Sequence, residues 1–474
     1  MLASVGIALL VDVPAATQLP APPRHARDRT VEALVFDVAG SPAEFSADLL
    51  IRLAGSAAVA DPDWKRELLE IAFRRAYGVQ EPHKRIAPNA SIDSRAGGFT
   101  RAYATGLDAL TLQVRTALAM LPVDPTRSQE LFEWIDFSLP PASCGELLIP
   151  VADDYYAALS TIARRTFPPG AAGRDQALRF LEANLWRARL PSELPAVVRA
   201  VRAFQPRGGE ASYLEVSISA LLERPERDAR GFATFGLDIT TGTGELADFD
   251  RSEGVGGETL MRALRKYLVA ELSGSRCSDS VAERPIVDAF NDLVRRKEVA
   301  ADVATPIAAS EMRPARFLGA APADRYWETP DARRLVGGLV ELREPLQKRG
   351  SNPTAIKQTS AWQTPAQQWL LELDLWNGTH EPVARDYFDQ KSLLYHGFLD
   401  LTPPDALRTR ALRSFVEFLR RSDKDRDRRA LWFAHVRRLL DRNDPTIVTA
   451  LDDSGDFVLT LYARAQRVLT AQRR

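Results

Sequence analysis

Cysteine, histidine, methionine and lysine are all scarce in this chain of 474 residues: two Cys, five His, four Met and eight Lys. So few sulfur and imidazole donors leave little material for a metal or thiol centre, and neither a metal nor a cofactor is expected. Cys144 and Cys277 are the only thiols. They could form at most one intramolecular bond, and sequence alone does not bring them together; they read as two small, buried or partly exposed residues, with their pairing left open. Long apolar runs are missing too. None reaches the roughly 18–20 residues that a membrane helix needs, so no membrane span is expected. An excess of charge is also absent. The 62 basic and 63 acidic residues give a net charge of −1, so no whole-molecule field draws the chain to nucleic acid, and no nucleic-acid partner is expected.

What is present is ordinary globular material. Hydrophobic residues make up 45% and charged residues 26%, which excludes a wholly disordered or collagen-like chain and a multi-span membrane protein. Arginine accounts for 54 of the basic residues. With abundant Ala, Pro and Val this is the bacterial-like composition of a GC-rich genome, and an Arg-rich segment is weak evidence for phosphate binding.

The start of the chain carries a short apolar run, Val5 to Val11, then Pro14-Ala-Ala-Thr-Gln18 and a Pro-rich stretch from Leu19 to Arg24. This has the shape of the back half of a secretory signal peptide, with small residues near a cut at Ala15 or Thr17. No Lys or Arg precedes the run, however, and Asp12 follows it. Residues 1–27 therefore read as a signal-like, Pro-rich disordered leader, and exported and cytoplasmic locations both stay open.

A capping residue followed by proline recurs at Ser41-Pro42, Asp61-Pro62, Asp124-Pro125, Thr329-Pro330, Thr364-Pro365 and Asp444-Pro445. A Ser, Thr or Asp side chain accepts an orphan amide at a helix start, and the next proline lacks the N–H that would go unpaired. Ser41-Pro-Ala-Glu44 and Thr364-Pro-Ala-Gln367 also fit a capping box. Amphipathic segments follow these caps along most of the chain. About fifteen helices with short links predict an all-α fold of stacked antiparallel helix pairs, an α-solenoid or a helical toroid. No named repeat recurs. The period breaks from Gly231 to Phe249, where Phe232, Thr234, Leu237 and Ile239 alternate with polar residues before Thr-Gly-Thr-Gly. That stretch reads as a small β-hairpin or an irregular loop. The expected organisation is a helical array over 28–230, an irregular insert or hairpin over 231–256, and a second helical array over 257–474.

Several motifs come close to a chemistry and fail it. Asp423, Asp425 and Asp427 suggest a calcium loop, but Arg428 and Ala434 stand where the turn Gly and bidentate Glu belong. Asp153-Asp154 opens a helix, yet no second metal-binding set follows it. Two acids at a helix start suit the helix dipole. The Gly242 and Gly254–Gly257 clusters lack the Lys-Ser/Thr of a P-loop, and His380-Glu381 lacks a second histidine at Ala384. No Gly-x-Ser-x-Gly elbow exists. His396 and His435 sit in apolar helices and read as structural. No catalytic residue is singled out. Residues 405–442 hold twelve basic against six acidic residues, which reads as a solvated basic face.

Trp362, Trp369 and Trp376 are seven apart, a step that returns to nearly the same helix face. With the helix starting at Thr364, Trp369 and Trp376 lie on one stripe. The stripe either packs into a neighbouring helix pair or forms an aromatic wall that binds a partner. Trp369 and Trp376 are thus the candidate binding residues. The expected function is that of a non-catalytic helical-repeat protein binding a protein or peptide partner. The alternative is an enzyme on a helical toroid that acts on a glycan or isoprenoid through carboxylates in a central cavity. A deep pocket with converging acids favours the enzyme; an open groove without them favours the binder. The oligomeric state is not legible.

Overall fold

The computed structural model describes residues 27–86, 94–224, 228–252, 257–277, 283–296, 304–319, 326–381, 383–422 and 426–471. All but the last residue of the expected leader lies outside them, as do Asp423 and Asp425 of the acidic turn. Four of the six expected caps operate. The Asp61 carboxylate accepts from the Asp63 amide at 2.9 Å, Asp124 from Arg127 at 3.0 Å, Thr329 from Ala332 at 3.3 Å and Asp444 from Thr446 at 2.9 Å. In each case proline opens the helix. Two expected caps do not operate. The Ser41 hydroxyl donates backward to the Val38 carbonyl at 2.8 Å, which leaves Pro42 as the cap. Thr364 lies inside a helix that starts at Ser360, and Pro365, its sixth residue, leaves the Ala361 carbonyl without its usual amide donor.

Helices dominate. The first group is α1 (Arg29–Ala39), α2 (Ala43–Ala54), α3 (Pro62–Tyr77), α4 (Arg95–Tyr103), α5 (Ala109–Met120), α6 (Pro125–Glu133), α7 (Asp153–Thr166), α8 (Ala171–Leu185), α9 (Leu194–Phe204), α10 (Gly209–Glu223), α11 (Ala229–Ser252), α12 (Glu258–Leu272) and α13 (Glu283–Arg296). The second is α14 (Pro330–Gln347), α15 (Pro353–Lys357), α16 (Ser360–Leu375), α17 (Ala384–Asp400), α18 (Asp405–Arg421), α19 (Arg426–Leu440), α20 (Pro445–Asp452) and α21 (Phe457–Ala471). Among the described residues, strand is confined to two pairs of two residues each. Arg85–Ile86 runs antiparallel to Ile149–Pro150, and Ser275–Arg276 parallel to Arg316–Phe317. The fold is all-α, built of stacked helices.

The hairpin or irregular insert expected near 231–249 is not there: the segment lies within α11. Phe232, Ile239, Thr243 and Leu246 are buried at steps of seven, four and three, a helical period. Its glycines serve close packing rather than a turn. A Cβ on Gly236 would stand 2.6 Å from Ile286 Cδ1, and one on Gly244 would stand 2.4 Å from Leu293 Cδ1. Both neighbours belong to α13, so the missing side chains let the two helices cross closely.

Helices one or two apart in sequence pack together: α2 on α3, α3 on α5, α7 on α8 and α9, α9 on α11, then α11 on α12 and α13. Later, α14 packs on α16 and α17, α17 on α18 and α19, and α20 on α21. The chain then closes on its own beginning. Helix α21 packs on α1 and α2, and α19 on α4. Phe45 of α2 meets Phe433 of α19 at 5.4 Å and Tyr462 of α21 at 5.9 Å between ring centroids. Beneath them Asp48 is fully buried. It accepts from Arg115 at 2.7 Å and from the Tyr462 hydroxyl at 3.0 Å, and pairs with Arg52 at 2.8 Å. Burial alone would raise its pKa, but Arg52 and Arg115 hold the carboxyl below its ordinary value.

The pairing that the sequence left open is made: Cys144 and Cys277 form a disulfide. It ties the segment before Ile149–Pro150 to the end of Ser275–Arg276, across 133 positions of sequence. Sequence alone could not anticipate this, because the two segments meet only once α7 to α12 have stacked between them. No described helix is long and apolar enough to cross a membrane.

Candidate functional site: a tryptophan-floored groove and a buried polar node

Helices α14 and α16 lie side by side with a cleft of about 630 Å³ between them. Its floor carries Trp362 and Trp369 of α16, and Gly337 and Gly338 of α14 open its wall. Each indole is buried, 3% exposed at Trp362 and 5% at Trp369, and anchored by its N–H. Trp362 Nε1 donates to the Leu342 carbonyl at 3.0 Å, and Trp369 Nε1 to the Leu335 carbonyl at 2.8 Å. Trp369 also stacks on Phe398 of α17, centroids 5.3 Å apart. Gly338 is needed here, since a Cβ would stand 2.6 Å from Trp369 Cδ1, whereas one on Gly337 would meet open space. Arg334, Gln368 and Glu372 give the groove a polar rim, with Glu372 held by Gln368 at 3.2 Å and Arg334 at 3.6 Å.

The stripe is therefore Trp362 and Trp369, because α16 begins four residues before Thr364. Trp369 packs into the neighbouring helices and also forms part of the groove. Trp376 does not line it. It caps the C-terminus of α16, and its ring packs edge-on against Tyr387 at 5.0 Å. Its carbonyl accepts from the Tyr387 hydroxyl at 2.7 Å and from buried Lys391. Burial lowers the Lys391 ammonium to about 8.

A second constellation was not singled out in the sequence. Asp386 and Asp389 of α17 are buried against α4. Asp386 receives a two-pronged bond from Arg95, at 2.9 Å to Nε. Asp389 accepts from Arg101 at 2.7 Å, from the Tyr326 hydroxyl and, at 2.9 Å, from His435 Nε2. Burial would raise the Asp389 pKa, but His435 and Arg101 hold it below its ordinary value, while burial lowers that of His435. His435 also lines a cleft of about 340 Å³ with Arg101, Arg437 and Arg438. His396 stacks on His435 at 5.4 Å. The signal that could have found this node is Gly97-Gly98 in α4, a helix the periodicity did not show. A Cβ on Gly98 would stand 2.4 Å from Asp389 Oδ2.

Asp153-Asp154 and the basic stretch resolve into ion pairs, while Gly254–Gly256 lie outside the described residues. Asp154 meets Lys84 at 2.7 Å and Asp153 meets Arg199. Within the basic stretch, Arg408 pairs with Asp444, Arg429 with Glu44, and Arg438 and Arg442 with Asp400. Among the described residues no cluster of three His, Cys, Asp or Glu could hold a metal ion. Fold and site together define a helical-stack protein with a groove on its second half. Compared with known proteins, the chain matches no family model, no curated sequence and no solved structure.

Proposed function

We propose that the protein is a non-catalytic helical scaffold that binds a peptide segment of a partner in the α14–α16 groove. The observation that carries this is the groove itself, an open cleft with an indole floor and a polar rim. Ordered aromatics inside such a rim are the usual anchors of peptide recognition. The two acids that converge elsewhere, Asp386 and Asp389, are already engaged by Arg95 and Arg101, which weighs against the carboxylate enzyme. The disulfide supports an exported protein, since such bonds persist in oxidising compartments.

Gly337→Phe tests the reading. It fills the groove from an open position and replaces a helical glycine, so the fold is expected to hold. Selection of a displayed random-peptide library on the native protein should enrich sequences that Gly337→Phe no longer binds. No enrichment, or enrichment indifferent to the substitution, would show the proposal wrong.

A further inference from the structure

Both walls of the α14–α16 groove are helices, and this limits what can lie between them. An extended segment carries a row of backbone amides and carbonyls, and each must find a partner when it leaves water. The groove has few partners to give. The wall helices bond their backbone groups internally, and both indole N–H groups are taken by the Leu342 and Leu335 carbonyls. Gln368 and Arg334 are both turned to Glu372. A helix brings its own backbone bonds and needs none of these. The lining also has a helix's spacing. On α14 it runs Arg334, Gly338, Glu341, Pro345, at steps of four, three and four, and α16 repeats those steps from Ala361 to Glu372. Each wall spans eleven positions, about 16 Å or three helical turns. Leu375, 72% exposed, is the next member of the α16 stripe. Side chains of a third helix interlock with ridges at this spacing. Gly337 lets its backbone come close, since even a Cβ there would meet nothing within 4 Å.

We propose, resting on the peptide-groove reading, that the occupant is an amphipathic α-helix of the partner that carries a basic residue opposite Glu341. Three charged residues line the groove: Arg334, Glu341 and Glu372. Arg334 is shared between Asp331 at 3.1 Å and Glu372 at 3.6 Å. Glu341 is exposed and its carboxylate has no ion pair or hydrogen bond among the described residues. The charges around the lining do not neutralise it. Glu344 pairs with Lys348 at 3.7 Å, Arg343 is turned toward Gly397 of α17, and Arg333 and Arg349 lie past the two ends of the α14 wall. Pro365 adds a second acceptor, because it has no amide to give the Ala361 carbonyl. The bond from Trp362 to Leu342 sets their neighbours Ala361 and Glu341 at the same end of the groove. A carboxylate and a carbonyl there suit the donors of a lysine or arginine. The remaining contact face, over the indoles, Gly337 and Leu375, suits apolar residues at three- and four-residue steps, the way a helix anchors in a groove.

The test uses the full chain and two displayed peptide libraries of equal length. One presents helix-forming sequences randomised at three- and four-residue steps. The other differs only by a central proline, which breaks the helix. The first should enrich sequences with Lys or Arg at one fixed position, and the second should enrich nothing that Gly337→Phe blocks. A synthesised peptide from the first should gain helical circular dichroism on binding and lose its binding to Gly337→Phe. Glu341→Lys should weaken it about tenfold or more by setting like charges together, and a Glu in place of the peptide's basic residue should restore it. Glu341 is exposed, so the melting temperature of that variant should hold. If the proline library supplies the binders that Gly337→Phe blocks, the helical occupant is overturned and the peptide groove stands. Helical binders indifferent to Glu341→Lys, or not restored by the swap, overturn it as well. If neither library yields a binder sensitive to Gly337→Phe, the groove reading falls with it.

Discussion

His396 shows what a single buried side chain imposes. It is fully buried between α17 and α19, with Phe415 edge-on at 4.9 Å and His435 stacked on it, and neither ring nitrogen has a hydrogen-bond partner. Burial first, then His435, Arg438 and Arg442, push its pKa well below 6.5. The sign of the pH effect follows. In the unfolded chain the ring takes up a proton as pH falls through about 6.5, while the folded ring resists it. Stability should therefore decline from about pH 6.5 downward, by up to about 1.4 kcal/mol per pH unit for each such histidine, until the folded pKa is reached. His435 is lowered too and adds to the slope. Replacing His396 by leucine, of similar volume, should cost less than about 1.5 kcal/mol at pH 7 and flatten the decline between pH 6.5 and 5. Denaturant melts at those pH values read both effects, and an unchanged slope would mean the histidine is not buried neutral.

At the scale of the element, the same residue type has opposite consequences in two helices. Gly98 in α4 and Gly337 in α14 are both helical glycines, and in isolation an alanine would favour either helix by about 0.5–1 kcal/mol. Gly337 faces open space, so Gly337→Ala should stabilise by about that amount. Gly98 lies against a carboxylate pinned by Arg101, Tyr326 and His435, which cannot withdraw without breaking bonds. Gly98→Ala should therefore destabilise by about 1–3 kcal/mol, the usual cost of overpacking. Thermal melts of the two variants side by side check this; equal shifts in the same direction would show that α4 and α17 do not meet as described.

Across the whole molecule, two devices join distant parts of the chain. The Asp48 cluster and the aromatic rings around Phe45 fasten α2 to α21, and the Cys144–Cys277 bond closes a loop of 133 residues. A cross-link of that span removes much of the freedom of the unfolded chain and typically contributes about 2–4 kcal/mol. Reduction, or Cys277→Ser, should lower the unfolding free energy read from denaturant melts by an amount within that range. A midpoint indifferent to reductant would mean that the bond is absent from the native protein.

The sequence by itself determined the helices. Most of the expected helices, such as those opened by Asp61, Asp124, Thr329 and Asp444, stand where capping chemistry and apolar spacing put them, because both act within one or two turns of local chain. It also brought out Trp369, since a large ring at helical spacing is visible without knowing its neighbours. Tertiary structure decided everything that depends on what lies across a contact. Local pattern gave α11 the glycines of a turn, but its neighbour α13 uses them as clearance. Helix α4 carries no apolar period of its own, and the reason for its Gly98 shows only with Asp389 placed against it. Trp376 shares its spacing with Trp369, yet the end of α16 turns it away from the groove. The Cys144–Cys277 bond and the Asp389 node both join residues that are dozens to hundreds of positions apart. Their pairing is set by how the helices stack, and no periodicity along the chain records that.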